Sequence, residues 1–295
     1  MEINIKTQQA FNFQRTALSH GWYSLVPFEL DENTWTLSRV FDVGGKIPIF
    51  ASMRPGSGEL TITTSERIGK TATEELVRQV QHILRLDDDM SSFYALLENE
   101  EDLTWVAGAG AGRMLRSPTV FEDLIKTLCT TNCSWAATRK MVTSIVGNLG
   151  TSVKNGKRGF PSPGMMAAQS ESFYRNEVRA GYRSSYLLEI SERVASGELD
   201  VECWLHSTLS TADLKKEIKG VEGVGDYAAE NLLKLIGRYD GLALDSWLRA
   251  RFAETHNKGR KAPDKKIERH YARFKEWRGL AMWCDMTKDW IDTPT

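Results

Sequence analysis

The chain has 295 residues, 41% of them hydrophobic and 26% charged, with a formal net charge of −1. That length can bury one substantial core or two smaller ones. No apolar run is long enough to span a bilayer and no basic-then-apolar leader is seen, so a soluble, cytoplasmic protein is expected. The four cysteines, Cys129, Cys133, Cys203 and Cys284, show no Cys-x-x-Cys spacing and read as reduced thiols, not as a zinc or cluster site.

In chain order, Trp35–Phe41, Pro48–Met53 and Gly58–Thr64 are short β-branched or alternating runs, punctuated by Gly44-Gly45 and Pro55-Gly56. They predict an antiparallel sheet. Thr71 to Leu84 follows as an amphipathic helix with Leu76, Val80, Ile83 and Leu84 on one stripe. Val106–Gly112 is glycine-rich, but no Gly-Lys-Ser/Thr follows, so it reads as a junction and not as a phosphate loop. Beyond it the pattern is helical over roughly 118–132, 134–149, 163–169, 170–179, 184–196, 201–206, 211–219, 226–238, 245–255 and 264–289. The expected architecture is α+β: an N-terminal antiparallel sheet-plus-helix domain over 1–112 and a mostly α-helical core over 113–295, with a helical hairpin at about 211–238.

The hairpin is the most informative segment. Thr211 is an expected N-cap for its first helix, and Gly223-Val224-Gly225 joins that helix to a second one opening at Asp226. Glycines there allow positive φ and bare backbone N–H groups at a helix N-terminus, which suits a phosphate. A glycine turn alone is usually only a helix cap. Charge adds to the pattern: Arg249–Arg278 holds eleven Lys/Arg against four Asp/Glu, and Ser134–Phe160 five basic residues and no acidic one, whereas Thr71–Trp105 has nine acidic against two basic. Such a dipole can turn one face toward a polyanion although the whole chain is near neutral; mixed solvated faces are the simpler alternative.

Gly223-Val224-Gly225, Ala229, Leu244-Asp245 and Arg249 or Arg251 resemble the Gly-Val-Gly-x-x-x-Ala and Leu/Val-Asp-x-x-x-x-Arg pattern of the helix–hairpin–helix/Gly-Pro-Asp DNA glycosylases, among them 3-methyladenine DNA glycosylase II and 8-oxoguanine DNA glycosylase. Ser117–Trp135, Phe160-Pro-Ser-Pro163 and Ala180–Tyr186 match further blocks of the 8-oxoguanine branch in the same order, so the resemblance covers about residues 115–250.

The resemblance implies an enzyme of base excision repair that flips a damaged base from duplex DNA and cuts its N-glycosidic bond. It points to Asp245 as the catalytic carboxylate, although a helix N-cap is that residue's other role. It gives the hairpin residues Gly223, Val224 and Gly225 to DNA phosphate, Asn132 to the gap left by the flipped nucleotide, and Tyr182 and Arg183 to the estranged base. Tyr227 stands where bifunctional members carry a nucleophilic lysine, which implies a monofunctional enzyme using water. Lys234, two turns further on, is expected to point elsewhere. Trp247, in place of a common histidine, joins Tyr227, Phe274, Trp277 and Trp283 as expected base-pocket residues. The same likeness implies double-stranded DNA as partner, a monomer, and no required cofactor. It allows a structural Na⁺ or K⁺ on the carbonyls of Lys219, Val221 and Val224. It gives no iron–sulfur cluster, since only Cys284 follows the hairpin. Location would be nucleoid-associated in a bacterium and nuclear in a eukaryote. The aromatic pocket favours an alkylated purine such as 3-methyladenine, with an 8-oxoguanine-type enzyme or a non-catalytic damage-binding protein as alternatives.

Overall fold

Five strands, β1 (Glu2–Lys6), β2 (Glu29–Asp31), β3 (Thr36–Phe41), β4 (Ile49–Pro55) and β5 (Glu59–Thr64), pair antiparallel in the order β1-β5-β4-β3-β2. This is seen in a computed structural model that describes residues 1–8, 10–45 and 48–290. The three strands expected from alternation are present within one or two residues, with Leu37 opposite Met53 and Met53 opposite Ile62 fixing the register. Strands β1 and β2 were not foreseen; both are short edge strands.

Leu37, Phe41, Ala51, Met53, Leu60 and Ile62 project from the sheet into one apolar cluster with Leu124, Ile125, Leu128, Ile145, Leu232 and Leu233 of the helical part. A second cluster joins Met90, Phe93 and Val106 to Leu248, Tyr271 and Leu280. Both cores therefore cross the 112/113 position. A buried ionic knot ties the sheet to the Val120–Thr130 helix: Glu122 accepts from Arg39 at 2.9 Å and from Lys126 at 2.6 Å, and all three side chains are buried. Burial alone would raise the Glu122 carboxyl, but the two cations outweigh it and hold the group down at about 2.

The expected 264–289 helix is broken. Asp264–Tyr271 and Arg278–Met286 are separate helices, with a 3-10 segment between them and Lys275 at φ 50°, ψ −124°. Among the described residues no helix is long and apolar enough to cross a membrane.

Candidate active site

The hairpin consists of helices Thr211–Lys219 and Asp226–Leu235. Its first helix is capped by Ser210, whose hydroxyl accepts from the Asp213 N–H at 3.1 Å, and not by Thr211, which donates to Asp240 at 3.0 Å. Two good capping residues stand side by side there, and sequence cannot rank them. Gly223 has φ +83°, the left-handed region where glycine is at ease. Gly225 is the N-cap of the second helix, with extended backbone and no side-chain cap, so the first N–H groups of that helix are open to an anion. Exposed Asp226 is held by Lys215 and Lys219, each at 3.0 Å.

A continuous strip runs from the hairpin to the residues expected at the flipped nucleotide. Tyr186 lies against Gly223, Tyr182 packs edge-on to Tyr186 at 6.2 Å, and the Asn132 amide donates to the Tyr182 hydroxyl at 3.2 Å. Asn132 is exposed with φ 46°, and Tyr182 is half exposed. Arg183 behaves differently. Its guanidinium is buried and donates to the carbonyls of Leu128 and Ala180 and to both the hydroxyl and the carbonyl of Thr131. These bonds hold the end of the Val120–Thr130 helix, so the structure gives Arg183 a scaffold role, where the resemblance implied a contact to the estranged base.

Beside this strip lies a cavity of about 490 Å³, within the roughly 300–1,000 Å³ range of ligand clefts. Asp245, Tyr227, Trp247 and Trp283 all line it. Asp245 caps the Ser246–His256 helix, its Oδ1 accepting the Leu248 N–H at 2.7 Å. The two roles weighed for this residue are thus held together: the carboxylate caps the helix from within the cavity wall, where the helix dipole favours its charge. Trp247 is 40% exposed and lies 6.1 Å from Trp283, centroid to centroid, and 5.6 Å from Trp290. The Tyr227 hydroxyl is raised above its usual value by burial and by the Asp245 charge.

Phe274 and Trp277 are not in the cavity. Phe274 is buried in the second core against Tyr271, and Trp277 stacks on Tyr239 at 5.3 Å with Phe93 close by. Even an unbroken helix would have turned them away from Trp283, by about 180° for Phe274 and about 120° for Trp277, and the break at Lys275 further separates the two helices.

The structure also supplies residues that sequence reasoning missed. His20 and Trp22 enter the cavity from the N-terminal part, and Trp135 covers Gly21. Burial drives the His20 imidazole down to about 4, so it is neutral at physiological pH. Trp22 donates to buried Asp123 at 2.7 Å. Lys234 is the largest departure: it is fully buried and lines the cavity, although it was expected to point away. The signal was present, because Tyr227, Asn231 and Lys234 follow the i, i+4, i+7 spacing of one helix face.

No family model matches the chain. A probable N-glycosylase/DNA lyase of Methanothermobacter thermautotrophicus is 23% identical over 227 residues, 69% of this chain and 70% of that one. Among solved structures, the 3-methyladenine DNA-glycosylase from Archaeoglobus fulgidus matches with a TM-score of 0.76 and 19% identity, over 98% of this chain and 99% of that chain. The Clostridium acetobutylicum 8-oxoguanine glycosylase/lyase in its apo form matches with a TM-score of 0.75 and 18% identity, over 97% and 95% of the two chains. The fold of this chain is therefore that of the helix–hairpin–helix DNA glycosylases, with structural neighbours in both the 3-methyladenine and the 8-oxoguanine branches.

Proposed function

We propose that this protein is a DNA glycosylase that removes damaged purines from duplex DNA. One observation carries the reading: a carboxylate at a helix N-terminus sits in the wall of an aromatic cavity, next to an uncapped glycine hairpin and an exposed Asn132–Tyr182 pair. The matched fold agrees with it.

In this reading the open N–H groups at Gly223, Gly225 and the start of the second hairpin helix grip a phosphate, which positions the duplex without reading its sequence. The carbonyls of Lys219, Val221 and Val224 would hold a monovalent cation behind that phosphate. The Val221 oxygen accepts one N–H, from Val224 at 3.1 Å, and keeps its second lone pair. Such an ion would add positive charge at the anion site. Asn132 and Tyr182 fill the gap left by the extruded nucleotide and offset its lost stacking.

The base enters the cavity beside Trp247 and Trp283. Cleavage of its N-glycosidic bond leaves an oxocarbenium-like sugar, and the Asp245 carboxylate stabilises that charge and orients the attacking water. Tyr227, standing where an amine would form a Schiff base, makes the enzyme monofunctional. Taken alone, the tryptophan faces would suit an alkylated purine, since each aromatic face is worth roughly 0.5–2 kcal/mol toward a cation. The Cys129–Asn132, Phe160–Ser162 and Gly181–Arg183 blocks favour the other reading, an oxidised purine such as 8-oxoguanine.

The test is a panel of duplexes, each with one lesion. Strand scission only after alkali supports a monofunctional glycosylase; a mobility shift without scission would make the protein a damage binder. Borohydride present during turnover should trap no protein–DNA adduct, and a trapped adduct would overturn monofunctionality.

A further inference from the structure

Among the described residues two lysines, Lys126 and Lys234, are completely buried, and they are treated differently. Lys126 is paired with Glu122 at 2.6 Å and bonded to Ser117. Lys234 has no carboxylate within ion-pair distance among the described residues, and its single hydrogen bond goes to the Leu242 carbonyl at 2.8 Å. Its Nζ also lies 5.8 Å from the centre of the Trp283 ring. Two of its three N–H donors have no partner among the described residues, and they lie at the wall of a cavity. A buried, unpaired ammonium is expensive to maintain, and such groups mark functional sites more often than structural ones.

Much of the cavity's polar wall is already committed, although the buried Thr127 hydroxyl has no partner among the described residues and remains a second, uncharged contact. The Trp22 indole donates to Asp123, the Trp283 indole to the Ser19 carbonyl, and the His20 Nε2 lies 2.5 Å from the Leu115 carbonyl. Glu230, on the same helix as Lys234, is engaged by Lys215 and by the Ala243 N–H. Lys234 thus brings both a positive charge and spare donors. Its helix starts at the phosphate-gripping hairpin, and Lys234 stands seven residues beyond Tyr227, toward the buried end. In the glycosylase reading, that depth puts Lys234 on the side of the base.

Resting on the glycosylase reading, we propose that Lys234 sets substrate specificity: its ammonium donates to an oxo or ring-nitrogen acceptor of the flipped base and excludes bases carrying a fixed positive charge. Purines alkylated at N3 or N7 are cations in DNA, whereas oxidised, deaminated and etheno-bridged purines are neutral and offer acceptors. Aromatic faces alone favour the cations, but the Lys234 charge lies against one of those faces and opposes them. The preferred substrates are then neutral purine lesions, and 3-methyladenine becomes a poor one. Asp245 acts on the sugar of every substrate and does not discriminate between the two classes.

Single-turnover excision of hypoxanthine, 8-oxoguanine and 1,N6-ethenoadenine is compared with that of 7-methylguanine, for the wild type, Lys234→Met and Lys234→Gln. The wild type should prefer its best neutral lesion at least about tenfold, correcting for the intrinsic lability of 7-methylguanine. Lys234→Met should shift the ratio of rates at least about tenfold toward 7-methylguanine. Lys234→Gln, which keeps donors but no charge, should give the same relief while holding the neutral lesion nearer its wild-type rate. Matching melting curves exclude misfolding. An unchanged ratio in both variants, or a borohydride-trapped adduct lost in Lys234→Met, overturns the proposal.

Quenching of cavity tryptophans by neutral 9-methylguanine, against cationic 7,9-dimethylguaninium, separates this inference from the reading beneath it. If no lesion is excised but only the neutral compound binds, and Lys234→Met admits the cation, the selectivity stands and the glycosylase reading falls. If both compounds bind the wild type equally, the selectivity falls whatever the enzyme cuts.

Discussion

Gly223 and Gly225 stand two residues apart in one turn, and the structure gives them different reasons to be glycine. At Gly223, φ is +83°, and an added Cβ would lie 2.5 Å from Tyr186 Cδ2 and 2.7 Å from its Cγ. Gly223→Ala therefore costs about 1–2 kcal/mol for the left-handed backbone and about 1–3 kcal/mol for overpacking near the root of a tyrosine side chain that cannot swing aside. At roughly 2–4 °C per kcal/mol for a chain of this size, the melting temperature should fall by about 10 °C. At Gly225, φ is −86° and nothing lies within 4 Å of an added Cβ. Gly225→Ser should fold as well as wild type or slightly better, because serine is a preferred N-cap. Only an incoming phosphate needs that space, so Gly225→Ser should lose about tenfold in DNA affinity, near 1.4 kcal/mol. The loss should be equal for damaged and undamaged duplexes. Thermal melting by circular dichroism and binding by fluorescence anisotropy measure both. A Gly225→Ser variant that binds DNA like wild type refutes the phosphate role, and a Gly223→Ala variant of wild-type stability refutes the packing argument.

Replacing Glu122 by Gln strands two buried cations and should cost about 3–5 kcal/mol. The Glu122 carboxyl is held at about 2 against an ordinary 4.5, so its contribution is full above pH 4.5 and lost as pH falls toward 2. Urea denaturation of both proteins from pH 7 downward should show the gap between them narrowing through that window; a constant gap would contradict the assignment. Arg183→Met should lower the melting temperature, because it removes the bonds that hold the end of the Val120–Thr130 helix. Tyr182→Ala should leave melting unchanged and weaken excision. Equal melting of the two variants would reverse these roles.

What could be seen in the sequence was whatever depends on local spacing. Alternation gave β3, β4 and β5, and the hairpin with its following Asp245 stood out because glycine positions and a capping carboxylate are short-range features. The rest depended on long-range contacts or on a break in regularity. Edge strand β1 pairs with β5, some sixty residues away, and its five residues show little by themselves. His20 and Trp22 reach the cavity only because the N-terminal part packs onto the helical core. Phe274 and Trp277 were misplaced because an aromatic stripe at helical spacing reads alike whether it faces a core or a cavity. Arg183 looks like a contact residue in a string, and only its four bonding partners reveal a structural role. Lys234 is a different case: its helical face was readable, but charge at that position argues against burial until the cavity is seen.

In the proposed mechanism the Asp245 carboxylate, in its helix-capping position, drives base removal. Single-turnover excision by Asp245→Asn, on a lesion the wild type removes, tests it most directly. Asparagine caps a helix as well as aspartate does, so melting temperature and duplex affinity should not change. The excision rate should fall at least about a hundredfold, near 2.7 kcal/mol of transition-state stabilisation. A rate within about tenfold of wild type, with folding and binding intact, would take Asp245 out of the chemistry.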